Sequence, residues 1–210
     1  MILEHFTVGM LQTNCYLLGD EASGLAVVID PGGDGDRIAQ RIQGRGLSLA
    51  AIINTHAHYD HVMDAWSLKA KMGGQIYMHP KDEPLLQHPM VGMAAVLRSA
   101  EDLPKIKIDQ PIQEGDELIF GAIRFKVLET PGHTPGHVSL HLADAGVIFV
   151  GDTLFAGSIG RTDFPGGSYD QLIRSVREKI FTLDESTVVY PGHGPRTTVR
   201  IEKSTNPFFN

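Results

Sequence analysis

Of the 210 residues only one, Cys15, is a cysteine, so an intramolecular disulfide and a disulfide-built secreted fold are both excluded. Cys15 sits in the β-rich run Thr13-Asn14-Cys15-Tyr16-Leu17-Leu18 and is expected to be a small buried apolar residue. No apolar run approaches membrane-spanning length. Met1-Ile2-Leu3-Glu4-His5 lacks a basic stretch followed by an apolar run, so no signal peptide is expected and the cytoplasm is the expected location. No Lys/Arg cluster stands out and the formal charge is -7, which argues against nucleic-acid binding. Linkers and low-complexity runs are absent too, and a single domain over 1–210 is expected. Hydrophobic content of 42% and charged content of 20% are ordinary for a globular protein with a substantial core.

What the chain does concentrate is metal-capable side chains. Thr55-His56-Ala57-His58-Tyr59-Asp60-His61 places three histidines and one aspartate within six positions. In an extended loop His56, His58 and Asp60 lean to one side, and His61 turns off as a helix begins. Such a loop can offer two imidazoles to one ion, and a carboxylate and a third imidazole to another. A solvated loop has no need of that density.

Strands are expected over residues 2–8, 13–18, 26–30 and 49–53, with a helix over 36–43 between the last two. The continuous apolar run Ala26-Val27-Val28-Ile29 fits a strand covered on both faces and ends in the sharp turn Asp30-Pro31-Gly32-Gly33. A helix over 62–72 and a short strand over 75–78 follow. Four prolines break up 80–110, where Met90, Val91, Met93, Val96 and Leu97 are core or a cover over the site. Strands 117–120 and 123–129 flank the hairpin Gly121-Ala122. Further strands are expected at 138–142, 147–150 and 187–190. Ser168, with Gln171 three residues on, reads as the cap of a helix whose apolar face is Tyr169, Leu172, Ile173, Val176 and Ile180. An echo links the halves: an apolar strand, an aspartate (Asp30 or Asp152), a helix, then a strand leading to a histidine (His56 or His193).

Three later loops supply more ligands: His133 in Thr-Pro-Gly-His, Asp152 between Gly151 and Thr153, and His193 in Pro-Gly-His-Gly. Each alone is ordinary turn chemistry. With the His-rich loop they make seven groups, enough for two divalent ions sharing Asp152. Imidazole and carboxylate suit zinc, iron or manganese rather than calcium or magnesium.

Through VVIDPGG, NTHAHYDH, TPGHTPGH, VGDTLF and YPGHG, spread along nearly the whole chain, the sequence resembles the metallo-β-lactamase fold, and within it the glyoxalase II (hydroxyacylglutathione hydrolase) branch. The resemblance is to the short type without the C-terminal helical domain. It implies an α/β fold, a four-layer αβ/βα sandwich with pseudo-twofold duplication. It also implies that His56, His58 and His133 bind one metal, that Asp60, His61 and His193 bind the other, and that Asp152 bridges them. Asp30 would orient ligands by hydrogen bonds, and His137 would do so at most. His5, His79, His88 and His141 match no ligand position and are expected to be structural or solvated.

The implied reaction is hydrolysis of a thioester such as S-lactoylglutathione by a water acidified between the ions, with Asp60 helping to orient it. The thiolate leaving group requires no dedicated acid. Arg161 is a candidate anchor for a substrate carboxylate, against a surface salt bridge. Tyr59 is a candidate for shaping the entrance. The expected partner is a small molecule, with no nucleic acid, no membrane and an oligomeric state that cannot be read. Gly160-Arg161-Thr162-Asp163-Phe164 also resembles persulfide dioxygenases, which use one iron and oxygen. A metal-binding member without activity is the third reading, set against the complete ligand set.

Overall fold

A computed structural model describes residues 1–86 and 107–210. His88 and the residues 90, 91, 93, 96 and 97 named above as core or cover lie outside that description. The chain forms two compact units, one of residues 1–112 with 119–123 and one of residues 113–118 with 124–210.

The first unit is built on β1 (Ile2–Val8), β2 (Thr13–Asp20), β3 (Leu25–Ile29), β4 (Ser48–Ile53), β5 (Gln75–Met78) and β6 (Gln110–Pro111), side by side in that order. The first three strands are antiparallel neighbours and the last four are parallel. Parallel neighbours need a crossover, and α1 (Gly35–Gly44) supplies it between β3 and β4. Ile38 and Ile42, one turn apart on α1, join Leu17, Val28, Ile52 and Ile76 of the sheet in one apolar cluster. Val27 and Val28 point to opposite faces and both are fully buried, as the unbroken apolar run predicts. Cys15 is in the same cluster.

The helix expected over 62–72 is two pieces, α2 (Tyr59–Val62) and α3 (Ala65–Met72). The break has a cause. The Asp64 N–H donates to the Pro31 carbonyl (3.0 Å), and the Asp64 carboxylate accepts from the Gly35 N–H (2.7 Å) at the start of α1. Both groups of Asp64 are thus used outside its own helix. The helical turn also begins earlier than expected, so Asp60 and His61 are helical residues and do not continue the extended His56–His58 segment. After β5, the tight turn Pro80–Asp82 and α4 (Glu83–Leu86) close the described part of this segment.

The second sheet comprises β7 (Glu117–Phe120), β8 (Ile123–Glu129), β9 (Val138–Leu142), β10 (Val147–Gly151), β13 (Val188–Pro191) and β14 (Thr197–Thr198), in spatial order β14-β13-β10-β9-β8-β7. A two-stranded ribbon, β11 (Leu154–Phe155) with β12 (Ser158–Ile159), follows β10. β10 and β13 are parallel, joined through α5 (Tyr169–Ser175) and its π-helical continuation Val176–Ile180. Ser168 caps α5 by accepting from the Gln171 N–H. Leu172, Val176 and Ile180 are fully buried against Ile148, Val150 and Val189. Tyr169, expected on that face, is instead 48% exposed at the first position of the helix. The C-terminal helix α6 (Val199–Thr205) was not anticipated from the sequence; Thr198 caps it.

The echo is real as topology within each unit. A parallel pair β3–β4 is crossed by α1, with Asp30 after its first strand. A parallel pair β10–β13 is crossed by α5, with Asp152 after its first strand. Among the described residues no helix is long and apolar enough to cross a membrane.

Candidate metal centre

In the first unit, β4 delivers Asn54 and Thr55 into the loop that carries the candidate ligands His56, His58, Asp60 and His61. Asp30 governs that loop. One carboxylate oxygen accepts from the Thr55 N–H (2.7 Å); the other accepts from the Thr55 hydroxyl (2.7 Å) and lies 3.0 Å from His61 Nδ1. Asp30 is 2% exposed and adopts a left-handed backbone (φ 52), a conformation that Asp tolerates better than most residues. Its contact assigns the His61 proton to Nδ1 and turns Nε2 toward Asp60, 3.5 Å from Oδ2. Thr13, at the start of β2, donates to the same Asp60 oxygen (3.1 Å).

His56 Nε2 and His58 Nδ1 lie 3.1 Å apart. Two ligands on one tetrahedral ion at about 2.0–2.1 Å are separated by roughly 3.3–3.4 Å, so the two imidazoles are spaced as partners on a single cation. Three anchors hold this stretch. The Asn54 side-chain amide donates to the His61 carbonyl (2.9 Å), the Ala57 N–H donates to the fully buried carboxylate of Asp82 (3.0 Å), and the loop backs onto Gly32. A Cβ on Gly32 would lie 1.3 Å from the Asp60 carbonyl oxygen, which is why the Asp-Pro-Gly-Gly turn admits no side chain there. His79 accepts from the Lys81 N–H and so caps the turn that presents Asp82. His79 is therefore structural, as is His5, which bonds Asn14 and stacks on Tyr16. Neither Asp82 nor Thr13 was picked out from the sequence.

In the second unit the ligand loops follow the same logic. The turn 130–137 is closed by the Thr130 N–H to the His137 carbonyl (2.9 Å), and the Gly192 N–H bonds the Gly151 carbonyl (2.7 Å). His133 Nδ1 donates to the Arg161 carbonyl (2.7 Å), which directs Nε2 toward Asp152, 3.6 Å from Oδ2. His193 Nε2 is 3.7 Å from that same oxygen. One Asp152 oxygen thus lies within 3.7 Å of both imidazole nitrogens, a few tenths of an ångström beyond the tetrahedral ligand separation given above. Gly160 permits this packing: a Cβ there would fall 1.8 Å from the Asp152 carbonyl oxygen. His137 is buried behind Asp152. Its Nε2 accepts the Asp152 N–H, and its Nδ1 sits 3.1 Å from the hydroxyls of both Thr130 and Thr153.

The Arg161 guanidinium is paired with Asp163 through two 2.8 Å contacts and lies 3.7 Å from the centroid of the Phe164 ring. That pairing holds the Asp163 carboxyl down to about 2. Tyr59 is half-buried and lines a cavity beside Asp60. His141 lies on β9 across from Lys126, and burial, then the nearby ammonium, lowers its pKa.

Comparison with known proteins agrees with this chemistry. A family model described as the metallo-beta-lactamase superfamily matches residues 8–193. The chain belongs to that superfamily and has its fold, an α/β arrangement with two mixed sheets. It is 40% identical over 203 residues to a probable metallo-hydrolase, YqgX, of Bacillus subtilis, covering 97% of this chain and 95% of that one. It is 39% identical over 214 residues to hydroxyacylglutathione hydrolase GloC of Haemophilus influenzae, covering 100% and 99%. Similar solved structures include BLEG-1 B3 metallo-beta-lactamase (TM-score 0.91, 35% identity, all of both chains) and TTHA1623 in a di-iron-bound form (0.83, 38%, 98% and 99%). ETHE1 from Myxococcus xanthus is similar as well (0.82, 32%, 99% and 84%).

Proposed function

We propose that this protein hydrolyses a thioester, with S-lactoylglutathione as the first candidate, at two divalent ions. On this reading His56, His58 and His133 hold one ion, Asp60, His61 and His193 hold the other, and Asp152 serves both. The residues 1–210 then act as one functional domain. The observation that carries the reading is the ligand-to-ligand spacing inside each unit: 3.1 Å between the His56 and His58 nitrogens, and 3.6 and 3.7 Å from Asp152 to His133 and His193.

Zinc or iron suits this donor set, and manganese is acceptable; the di-iron form of TTHA1623 supports iron. Bound ions of this kind acidify water and draw charge from a carbonyl oxygen. The chain supplies the rest. Asp30 and the Arg161 carbonyl fix the His61 and His133 tautomers, and His137 holds the Asp152 backbone. Asp60, steadied by Thr13, accepts a hydrogen bond from the attacking water and orients it. The water oxygen bonds to the acyl carbon, the C–S bond breaks with its electron pair on sulfur, and the water proton neutralises the thiolate. Arg161 offers a planar fork to a glutathione carboxylate, in exchange for Asp163. The location is taken as the cytoplasm, where such thiols are reduced.

The likeness to GloC supports a glutathione thioester. A second reading, oxygen-dependent oxidation of glutathione persulfide with one iron, is favoured by the stretch Gly160-Arg161-Thr162-Asp163-Phe164 and is in keeping with the likeness to ETHE1. Metal analysis, thiol release from S-lactoylglutathione and oxygen uptake with glutathione persulfide separate them. Two metals and thiol release uphold the hydrolase; one iron and oxygen uptake replace it.

A further inference from the structure

We infer that the cavity beside Asp60 is the seat of an apolar, uncharged acyl group, so that the preferred substrate is a thioester with an acyl chain longer than lactoyl; this rests on the thioesterase reading above. The cavity measures about 400 Å³, within the range of small-molecule sites. Val8, Met10, Leu11, Tyr59 and Met63 line it, together with Thr13 and Asp60. An acyl chain with its carbonyl at Asp60 would lay its tail along the two methionines, whose unbranched side chains adapt to flexible apolar groups.

Charge selects against the alternatives. Among the described residues no Lys, Arg or His lines the cavity, while Asp34, Asp60 and Asp64 do. Asp34 accepts from the Gly9 N–H (3.2 Å) and Asp64 from the Gly35 N–H (2.7 Å), so these carboxylates hold the surrounding turns. A carboxylate-bearing group, such as either end of glutathione, would lie against Asp34 and Asp64 with no basic side chain among the described lining residues to pair it, Asp60 being engaged with an ion on the reading above. The acyl side of the ester carries no such charge.

The turn between β1 and β2 is built to present this wall. Met10 is 77% exposed and Leu11 43%, although both are large and apolar. In the turn that carries them Gly9 and Gln12 are left-handed (φ 65 and 55), and the Gln12 N–H bonds the Gly9 carbonyl (3.3 Å). Folding leaves these side chains uncovered, and a bound chain would cover them.

Calorimetry with S-methyl-, S-butyl- and S-hexylglutathione on the metal-replete protein tests this without turnover. Kd is expected to tighten about fourfold per methylene while the cavity fills. Met63→Trp should reduce that gain to less than twofold in all. The double variant Met10→Ser/Leu11→Ser alters only exposed side chains, so it guards against a folding defect, and it should flatten the series as well. A series that is flat in the wild type, or equally steep in both variants, overturns the inference. Thiol release from lactoyl- and hexanoylglutathione is measured alongside. Lactoyl hydrolysis with a flat binding series upholds the thioesterase and overturns the acyl seat. Steep binding with no thioester cleaved upholds the apolar seat and overturns the thioesterase.

Discussion

The Nε2 of His137 accepts the backbone N–H of Asp152 at 3.1 Å, and its other nitrogen faces the Thr130 and Thr153 hydroxyls. The pair sets where the Asp152 backbone lies without touching its carboxylate. Outer partners of this kind typically contribute about 10–100-fold to metal affinity. His137→Ala should therefore weaken metal binding by roughly that factor, read by competition with a chromogenic chelator. His137→Gln, which keeps an acceptor, should recover part of it. Unchanged affinity in His137→Ala would rule the role out.

Asp30 receives three contacts that an asparagine cannot reproduce, since the amide would turn a donor toward either the Thr55 or the His61 donor. Asparagine tolerates the left-handed backbone, so strain does not confound the change. Asp30→Asn should cost roughly 1–3 kcal/mol of stability in denaturant unfolding. It should also weaken metal binding at the ion that His61 serves.

Two glycines with positive or crowded environments should respond differently to alanine. Gly32→Ala drives a methyl into the Asp60 carbonyl, so the ligand turn has to move; a loss of about 3 kcal/mol or more is expected. Gly24 (φ 71) has open space around it, so Gly24→Ala should cost only the left-handed strain, roughly 1–2 kcal/mol. Equal losses in thermal or denaturant unfolding would refute the crowding argument.

Burial, with a smaller contribution from the Asp30 and Asp34 charges, pushes the Cys15 thiol well above its ordinary value of 9.0. The sign follows directly. Below about 9 both folded and unfolded chains hold the proton and stability is unaffected; above it only the unfolded chain ionises, so stability falls as pH rises. Iodoacetamide at pH 8 should leave the native protein unmodified and alkylate the unfolded one stoichiometrically. Cys15→Ser should flatten the alkaline fall.

If Arg161 anchors a glutathione carboxylate, Arg161→Ala should raise KM about three- to tenfold with kcat little changed, the signature of a group that holds ground state and transition state alike. The backbone carbonyl that orients His133 survives the substitution. A fall in kcat with KM constant would place Arg161 elsewhere in the reaction.

Much of this arrangement is legible in the sequence because it is local. His56 and His58 are two residues apart, β3 and β10 are continuous apolar runs, and the aspartates sit directly at their ends. The supports are not local. Asp82 reaches Ala57 across 25 residues, and Asp64 interrupts its own helix to serve Pro31 and Gly35. A lone aspartate in an irregular stretch carries no periodicity that announces such a bond. The short ribbon at Leu154–Ile159 and the seven-residue α6 escape for a related reason: neither spans enough residues to display a period. Tyr169 fits the apolar spacing of α5 and is still exposed, because spacing alone does not say which turns of a helix are covered.

The turn holding Asp60 and His61 is fixed from both sides, by Asp30 behind it and by the Asp64–Pro31 bond beyond it. All of these restraints run between the chain's own atoms and need no cation to form. On the metal-site reading proposed above, a socket shaped in this way would set coordination geometry before it meets any ion. The same polypeptide would then accept different divalent metals without refolding.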